Sequence, residues 1–343
     1  MSRRARPGRG PRPVLAVLGL VAVLGAACGG AAGLASTPGA AEAYVANFAF
    51  TALPGTTVTP VDLGTKTAGG RISIGSLPSA LAATPDGARL VVAAQGADVA
   101  VVLDTADNSV LARLATGVEP DAVAVTPDGT TALVANLGSN SLTPIDLRTL
   151  RAGAPIAVGD QPDAVAVTPD GSTAVVADLA ADAVTLVDLR TMTAGPRIPV
   201  GSEPDAVAVT PDGATALVAD LGDGTLTPVD LATATAGRPV PVGAGPRAVV
   251  IASASGSPAT AWVAVGTTLV PLTLAGITLG GPGTPVAVGH VVEDVALARG
   301  DTEAWAAGLD GTLTPVDLTS GRTGRAVHVG GRPSAVAVAS APS

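Results

Sequence analysis

Nine residues, Asp121-Ala-Val-Ala-Val-Thr-Pro-Asp-Gly129, recur letter for letter at 163–171 and again at 205–213. A looser copy, Ser79 to Gly87, stands one period earlier. The Thr-Pro-Asp-Gly tetrads begin at Thr84, Thr126, Thr168 and Thr210, a spacing of 42 residues each time. A fixed period of this size means that each copy is one supersecondary unit, which buries its faces only by stacking against its neighbours. The length of 343 residues therefore counts repeats rather than independent domains.

Within one period the punctuation predicts four short strands. Asp-Ala-Val-Ala-Val is the first, and Thr126-Pro-Asp-Gly129 is a turn with its φ pre-set by proline. Residues 131–135 form the second strand, 137–140 a turn, and 141–146 the third strand. Asp146 then opens an Asx turn, and 155–158 form a fourth strand that ends at Gly159-Asp-Gln-Pro162. The turn aspartate recurs as Asp62, Asp104, Asp188, Asp230 and Asp317, with Thr273 in one degenerate copy. The terminal glycine recurs at 75, 117, 159, 201, 243, 289 and 330, which makes seven repeats.

The first strand is apolar on both alternating sets, alanine on one face and valine on the other. A sheet covered on both sides needs this, and small-against-large faces let neighbours nest. With only Tyr44, Phe48, Phe50, Trp262 and Trp305 as aromatics, the core must be assembled from Val, Ala, Leu and Ile. Tyr44, Trp262 and Trp305 share one second-strand position and are expected to fill gaps between diverged repeats. The repeats begin at a second strand, Tyr44-Val-Ala-Asn47, and end on a lone first strand, 334–339. Joining the two completes one unit and closes a ring. The expected fold is all-β: a seven-bladed β-propeller of four-stranded antiparallel blades over residues 43–343, closed by pairing the C-terminal strand with the N-terminal strands. Five third strands carry a proline two residues before the turn position, at 60, 144, 228, 271 and 315. Because proline donates no ladder hydrogen bond, a bulge or a shortened pairing is expected there.

The first thirteen residues carry five arginines and no acid, and Val14 to Ala27 is an uncharged run too short to span a bilayer. This reads as a signal peptide over 1–27, followed by a small-residue tether over 28–42. Leu24-Gly-Ala-Ala-Cys28 resembles a bacterial lipobox, and Cys28 is the only cysteine. The resemblance implies lipidation of Cys28, a membrane anchor and an exported, extracytoplasmic location. Removing the leader takes five of nineteen basic residues and none of twenty-eight acids, which leaves a net charge of −14. Such a field repels phosphate backbones, so no nucleic acid is expected as a partner.

The repeat pattern, with Thr-Pro-Asp-Gly, then Leu133-Val-Ala-Asn136, a strand ending in Asp and the Gly-x-x-Pro link, resembles the YVTN β-propeller repeat family. Tyr44-Val-Ala-Asn47 is its closest copy of the name-giving tetrad. The resemblance implies the propeller scaffold, with the first strands lining a central channel and the links crossing to its mouth. The residues starting those strands are Ser79, Asp121, Asp163, Asp205, Arg247, Glu293 and Ser334. Asp121, Asp163, Asp205, Arg247 and Glu293, with His290 on a link beside them, form a candidate ligand site at an acidic mouth. It suits a divalent cation such as Ca²⁺ or a cationic ligand, and no other cofactor is expected. Proline-aspartate as plain turn chemistry, copied by duplication, accounts for the same residues.

Catalysis has little to build on. His290 and His328 are the only histidines, and the chain shows no nucleophile constellation, phosphate loop or metal-ligand spacing. Arg299-Gly-Asp301 falls in a degenerate hairpin turn. The expectation is a monomeric, non-catalytic binding scaffold at the cell envelope, with an unidentified protein or envelope ligand. The alternatives are a lactonase-like propeller enzyme using His290, Glu293 and Arg247, and a purely structural envelope protein.

Overall fold

The computed structural model describes residues 42–48, 55–253, 258–298 and 300–339. Cys28, the leader, the tether up to residue 41 and Arg299 of the Arg-Gly-Asp triplet lie outside them. The described residues form seven antiparallel sheets, each with its strands in the order first, second, third, outer. We number the blades 1 to 7, starting with the one that contains the first and the last described strands. Blade 3 shows the pattern: Pro120–Val125, Thr131–Asn136 and Ser141–Asp146, with an outer strand in two pieces, Arg151–Ala152 and Ile156–Ala157.

Ring closure follows the expected pairing. The C-terminal strand Arg332–Ala339 runs antiparallel to Glu42–Phe48 from Glu42↔Ala339 to Phe48↔Arg332, and serves as the first strand of blade 1. The propeller thus starts at Glu42, one residue inside the segment assigned to the tether.

The two faces of a blade divide as the alternation predicts. Ala122, Ala124, Leu133 and Ala135 of blade 3 pack towards blade 4, while Val123, Val125, Ala132 and Val134 pack towards blade 2. The three aromatics fill successive seams. Trp262 packs on blade 7, Trp305 on blade 1 and Tyr44 on blade 2. Lys66 of blade 1 lies over the Trp305 ring, 5.8 Å from its centroid.

Each Thr-Pro-Asp-Gly turn closes with the glycine N–H on the threonine carbonyl, as in Gly129 N to Thr126 O at 2.8 Å. The Asx turns are present too: Asp146 Oδ1 accepts from the N–H groups of Arg148 and Thr149 at 2.8 and 3.0 Å.

The third-strand prolines shorten the outer pairing and leave the inner pairing intact. Pro144 keeps its register opposite Leu133, and its carbonyl accepts from Gly153 at 2.7 Å. With no N–H to return a bond, the outer strand breaks into two short pieces. The same split occurs at Pro60, Pro228, Pro271 and Pro315. Blades 2 and 4 carry Val102 and Leu186 at this position, and their outer strands, Val110–Ala115 and Thr193–Pro199, run continuously. The glycine opposite each proline is also explained: a Cβ at Gly153 would lie 3.1 Å from Pro144 Cγ.

Closure makes a prediction. Five residues of the C-terminal strand are buried in blade 1, so a chain ending at Gly331 leaves the seams to blades 2 and 7 open. We expect it to lose the single cooperative thermal transition of the full chain, measured by circular dichroism. An unchanged melting temperature would show that the ring does not depend on this pairing.

Candidate functional site

Alternation of strand direction puts the Gly-x-x-Pro links and the turns between second and third strands on one face. The Thr-Pro-Asp-Gly and Asx turns lie on the other. On the first face each link delivers one residue to the channel mouth, and the delivery is specified locally. In blade 4, Gln161 adopts φ 54° and its N–H donates to Asn140 Oδ1 of blade 3 at 2.9 Å. The Gln161 carbonyl accepts from Leu179 N at 2.9 Å. The chain then enters the first strand through a bulge between Pro162 and Ala164, so Asp163 belongs to neither the alanine nor the valine face. The register shifts at the same place in all seven blades, so the bulge carries Ser79, Asp121, Asp163, Asp205, Arg247, Glu293 and Ser334 in turn.

These seven residues are not equivalent around the ring. Ser334 and Ser79 each donate to the proline carbonyl of the next blade, Pro78 and Pro120, at 2.9 Å. Asp121, Asp163 and Asp205 follow as three consecutive carboxyls with no exposed surface. Asp121 Oδ1 accepts from Gln95 Nε2 at 3.1 Å and the Asp121 and Asp163 carboxyls meet, but no other side chain or backbone group donates to Asp121 Oδ2 or to either oxygen of Asp163 and Asp205. Arg247 and Glu293 complete the ring as an ion pair at 3.6 Å.

Burial raises the Asp121 carboxyl to about 7, with the Glu119 charge adding to it and contact with Asp163 opposing it. Burial, then the Asp121 and Asp205 charges, hold Asp163 well above the ordinary carboxylate range. Asp205 is raised by burial too, and Arg247 beside it offsets part of the effect. Glu293 is raised by burial against the pull of Arg247 and Arg332.

The sequence reading missed three features. Asp294 occupies a position where the other six blades carry alanine. It is fully buried, accepts from Val336 N of the closing strand at 2.8 Å, and is raised by burial to about 8. An aspartate in an alanine column was the available signal. Gln95, from the preceding blade's turn, was not foreseen as a partner of Asp121.

The third feature is a clamp at the end of the second strand. Asp178 Oδ1 accepts from Gly159 N at 3.0 Å, and its Oδ2 accepts from Thr185 Oγ1 at 2.6 Å. Asp220 does the same for Gly201 and Thr227, while Asn136 accepts from Gly117 N on Oδ1 and donates through Nδ2 to Thr143 Oγ1. The contact is so close that a Cβ at Gly159 would lie 2.2 Å from the Asp178 carboxyl.

That clamp explains His290. Blade 7 has Gly308 where the clamp residue belongs, and the His290 ring occupies the vacated space, with Nε2 2.9 Å from Thr314 Oγ1. Its Nδ1 lies 3.3 Å from the Val291 carbonyl. Both ring nitrogens are thus engaged within its own link and blade, and the contact with Glu293 and Arg247 that an acid–base role needs is not formed. His328 sits on an outer strand.

Among the described residues, no three His, Cys, Asp or Glu side chains converge to hold a metal ion, and no helix is long and apolar enough to cross a membrane. Two open clefts, of about 450 and 500 Å³, lie away from the mouth, one between the Thr-Pro-Asp-Gly turns of blades 3 and 4 and one between blades 1 and 2.

No protein-family model matches the chain, and no curated protein matches it in sequence. Solved structures do match. A protein of unknown function from Desulfotomaculum acetoxidans superposes with a TM-score of 0.77 at 17% identity, covering 88% of this chain and 100% of that one. A candidate 6-phosphogluconolactonase from Bacteroides uniformis gives 0.69 at 15% identity, over 87% and 99%. Hydrazine synthase from Kuenenia stuttgartiensis gives 0.65 at 20%, over 75% and 88%. At these identities the likeness establishes the propeller fold and nothing finer.

Two predictions follow from the clamp and the mouth. Asp178→Ala strands the Gly159 N–H and the Thr185 hydroxyl and should cost about 2–3 kcal/mol in urea unfolding. Asp178→Asn, which reproduces the Asn136 arrangement, should cost less than about 1 kcal/mol. Equal losses would mean that charge, not hydrogen bonding, holds the link. For the mouth, a carboxyl whose folded pKa is raised binds its proton more tightly folded than unfolded. Its stabilisation is complete below the unfolded value of about 4 and is lost as pH rises through the folded value. Asp121, Asp163 and Asp205 all act in this direction, as do Asp178 and Asp220 at about 6. The melting temperature should therefore fall between pH 5 and pH 8, and less steeply in Asp163→Asn. A flat profile would show that these carboxyls are solvated.

Proposed function

We propose that this chain is a non-catalytic binding scaffold of the YVTN propeller type, exported and held at the membrane through a lipidated Cys28, with the acidic channel mouth as its ligand site. One observation carries the site: Asp163 and Asp205 are wholly buried, and apart from the contact between the Asp163 and Asp121 carboxyls no donor reaches any of their four oxygens. Burying an ionised carboxylate without a partner costs several kcal/mol, so the fold keeps such groups only where something neutralises them. A proton does so at low pH. At neutral pH the same oxygens suit a cation.

Binding is preferred over lactonase-like catalysis because of His290. With both ring nitrogens occupied by Thr314 and Val291, it offers no free base to the mouth. The likeness to a candidate 6-phosphogluconolactonase is a likeness of fold at 15% identity. The reading of Cys28 rests on the lipobox resemblance.

The test is a thermal-shift screen of the full chain at pH 7.5 with Ca²⁺, Mg²⁺, alkali cations and organic amines. A ligand at a hundredfold excess over its dissociation constant stabilises by about 2.7 kcal/mol. We expect a shift with at least one cation, and its loss in the Asp121→Ala/Asp163→Ala/Asp205→Ala variant. No shift with any of them, or a shift that survives the triple change, would remove the mouth as the ligand site.

A further inference from the structure

The face that carries the mouth is electrically divided. Over blades 3, 4 and 5 the links expose Glu119, Asp160 and Glu203, and the neighbouring turns expose Asp182 and Asp223. No basic residue stands on those links or turns. The nearest counter-charge is Arg197 on the blade 4 outer strand, half exposed and 3.7 Å from Asp160. Over blades 6, 7 and 1 the links carry His290 and Arg332, the bulge residue Arg247 is paired with Glu293, and the one exposed acid on these turns is Asp310 of blade 7.

An exposed acidic arc is by itself only a solvated surface. Here it lies above Asp163 and Asp205, which are buried and, apart from the contact of Asp163 with the Asp121 carboxyl, have no donor on any oxygen. Glu119 and Glu203 are close enough for their charges to act on Asp121 and Asp205 respectively. The arc and the unpartnered carboxyls therefore form one continuous negative feature, spread over three blades and deepest at the centre.

We propose that this face docks a lysine-rich segment of a partner protein, which lies across blades 3 to 5 and sets one ammonium group against Asp163 and Asp205. The inference rests on the mouth being the ligand site and adds the class of partner. The feature's breadth asks for several positive charges along a chain, where a single small cation would engage the centre alone. Lysine suits the centre better than arginine, because a compact ammonium on a four-carbon stem presents three N–H donors to neighbouring carboxyls from a single point. Arg332, on the link into blade 1, repels the same segment, while the acids that attract it are concentrated over blades 3 to 5. The ammonium chemistry is shared with free polyamines, and the experiment separates the two sources.

The test is fluorescence anisotropy of a labelled peptide of alternating lysine and glycine on the full chain, with spermine, the arginine analogue of the peptide and Ca²⁺ as competitors. We expect the lysine peptide to bind, and to weaken about tenfold or more with Asp163→Asn/Asp205→Asn. The Glu119→Gln/Asp160→Asn/Glu203→Gln variant should flatten the loss of affinity between about 50 and about 200 mM salt. A thermal melt of each variant confirms folding, and the asparagines, which remove buried charge, are expected to melt no lower than the parent. Peptide binding unaffected by Asp163→Asn/Asp205→Asn would overturn the inference, since only general acidity would then be at work. Spermine or Ca²⁺ acting at the mouth while the peptide fails would overturn it too, although the mouth would stand as a small-ligand site. Failure of every cation would bring down both readings.

Discussion

The links that bring Asp121, Asp163 and Asp205 to the mouth are each held by a short polar clamp at the end of the second strand of blades 3, 4 and 5. An Asn or Asp side chain takes the N–H of the link glycine on one atom and a third-strand threonine hydroxyl on the other, as Asp178 does with Gly159 and Thr185. The link can then run flat across the blade and enter the next first strand through a bulge. The clamp changes as a unit within the chain. Where blade 2 carries Ala94 and blade 6 carries Val265, the third-strand threonine is replaced by Val101 and Val270. A lone threonine there would bury an unpaired hydroxyl. In blade 7, Thr314 is retained and His290 supplies the missing partner.

The outer rim obeys a second rule, set by a missing donor. A proline on the third strand still fills its inner register and still accepts from the outer strand, so the blade keeps its width while its outer strand is cut short. Short outer strands present little unpaired backbone to other chains. Blade 4 lacks this third-strand proline but carries Pro196 and Pro199 on the outer strand itself. The outer strand of blade 2, Val110–Ala115, has neither device, and Val110 and Leu111 on it are exposed.

Much of the fold could be read from the sequence because repetition multiplies each local signal. One Thr-Pro-Asp-Gly turn is a weak cue, whereas four at a constant spacing fix the strand before and the strand after. Closure was legible from the unmatched strands at the two ends. The site was legible only in part. That Asp121, Asp163 and Asp205 share the mouth follows from their place in the repeat, but their complete burial depends on six other bulges converging on one axis. His290 shows the limit most plainly: proximity along the chain to Glu293 and Arg247 suggested chemistry, while a glycine eighteen residues on decided where the ring goes. Asp294 was hidden for a similar reason, because its partner Val336 lies on the closing strand.

Letter-for-letter repetition also fails to fix charge. Each copy of the nine-residue unit holds two aspartates, and the fold sends them to opposite faces. On the turn face, Asp128 accepts from the Thr126 hydroxyl at 2.6 Å and from Thr130 N at 3.0 Å, and these donors hold it below the usual carboxylate range. Asp86, Asp170 and Asp212 are lowered in the same way, by the Thr84, Thr168 and Thr210 hydroxyls and by backbone N–H groups. At the mouth, Asp121, Asp163 and Asp205 meet burial and each other, and are raised. Donor supply makes the difference: a hairpin turn points N–H groups inward at its own side chain, while a bulge at the channel turns the side chain away from its backbone. One face therefore stays charged into acid, and the other holds its protons to higher pH. A ring built from nearly identical units acquires two chemically distinct faces without any change in the repeated sequence.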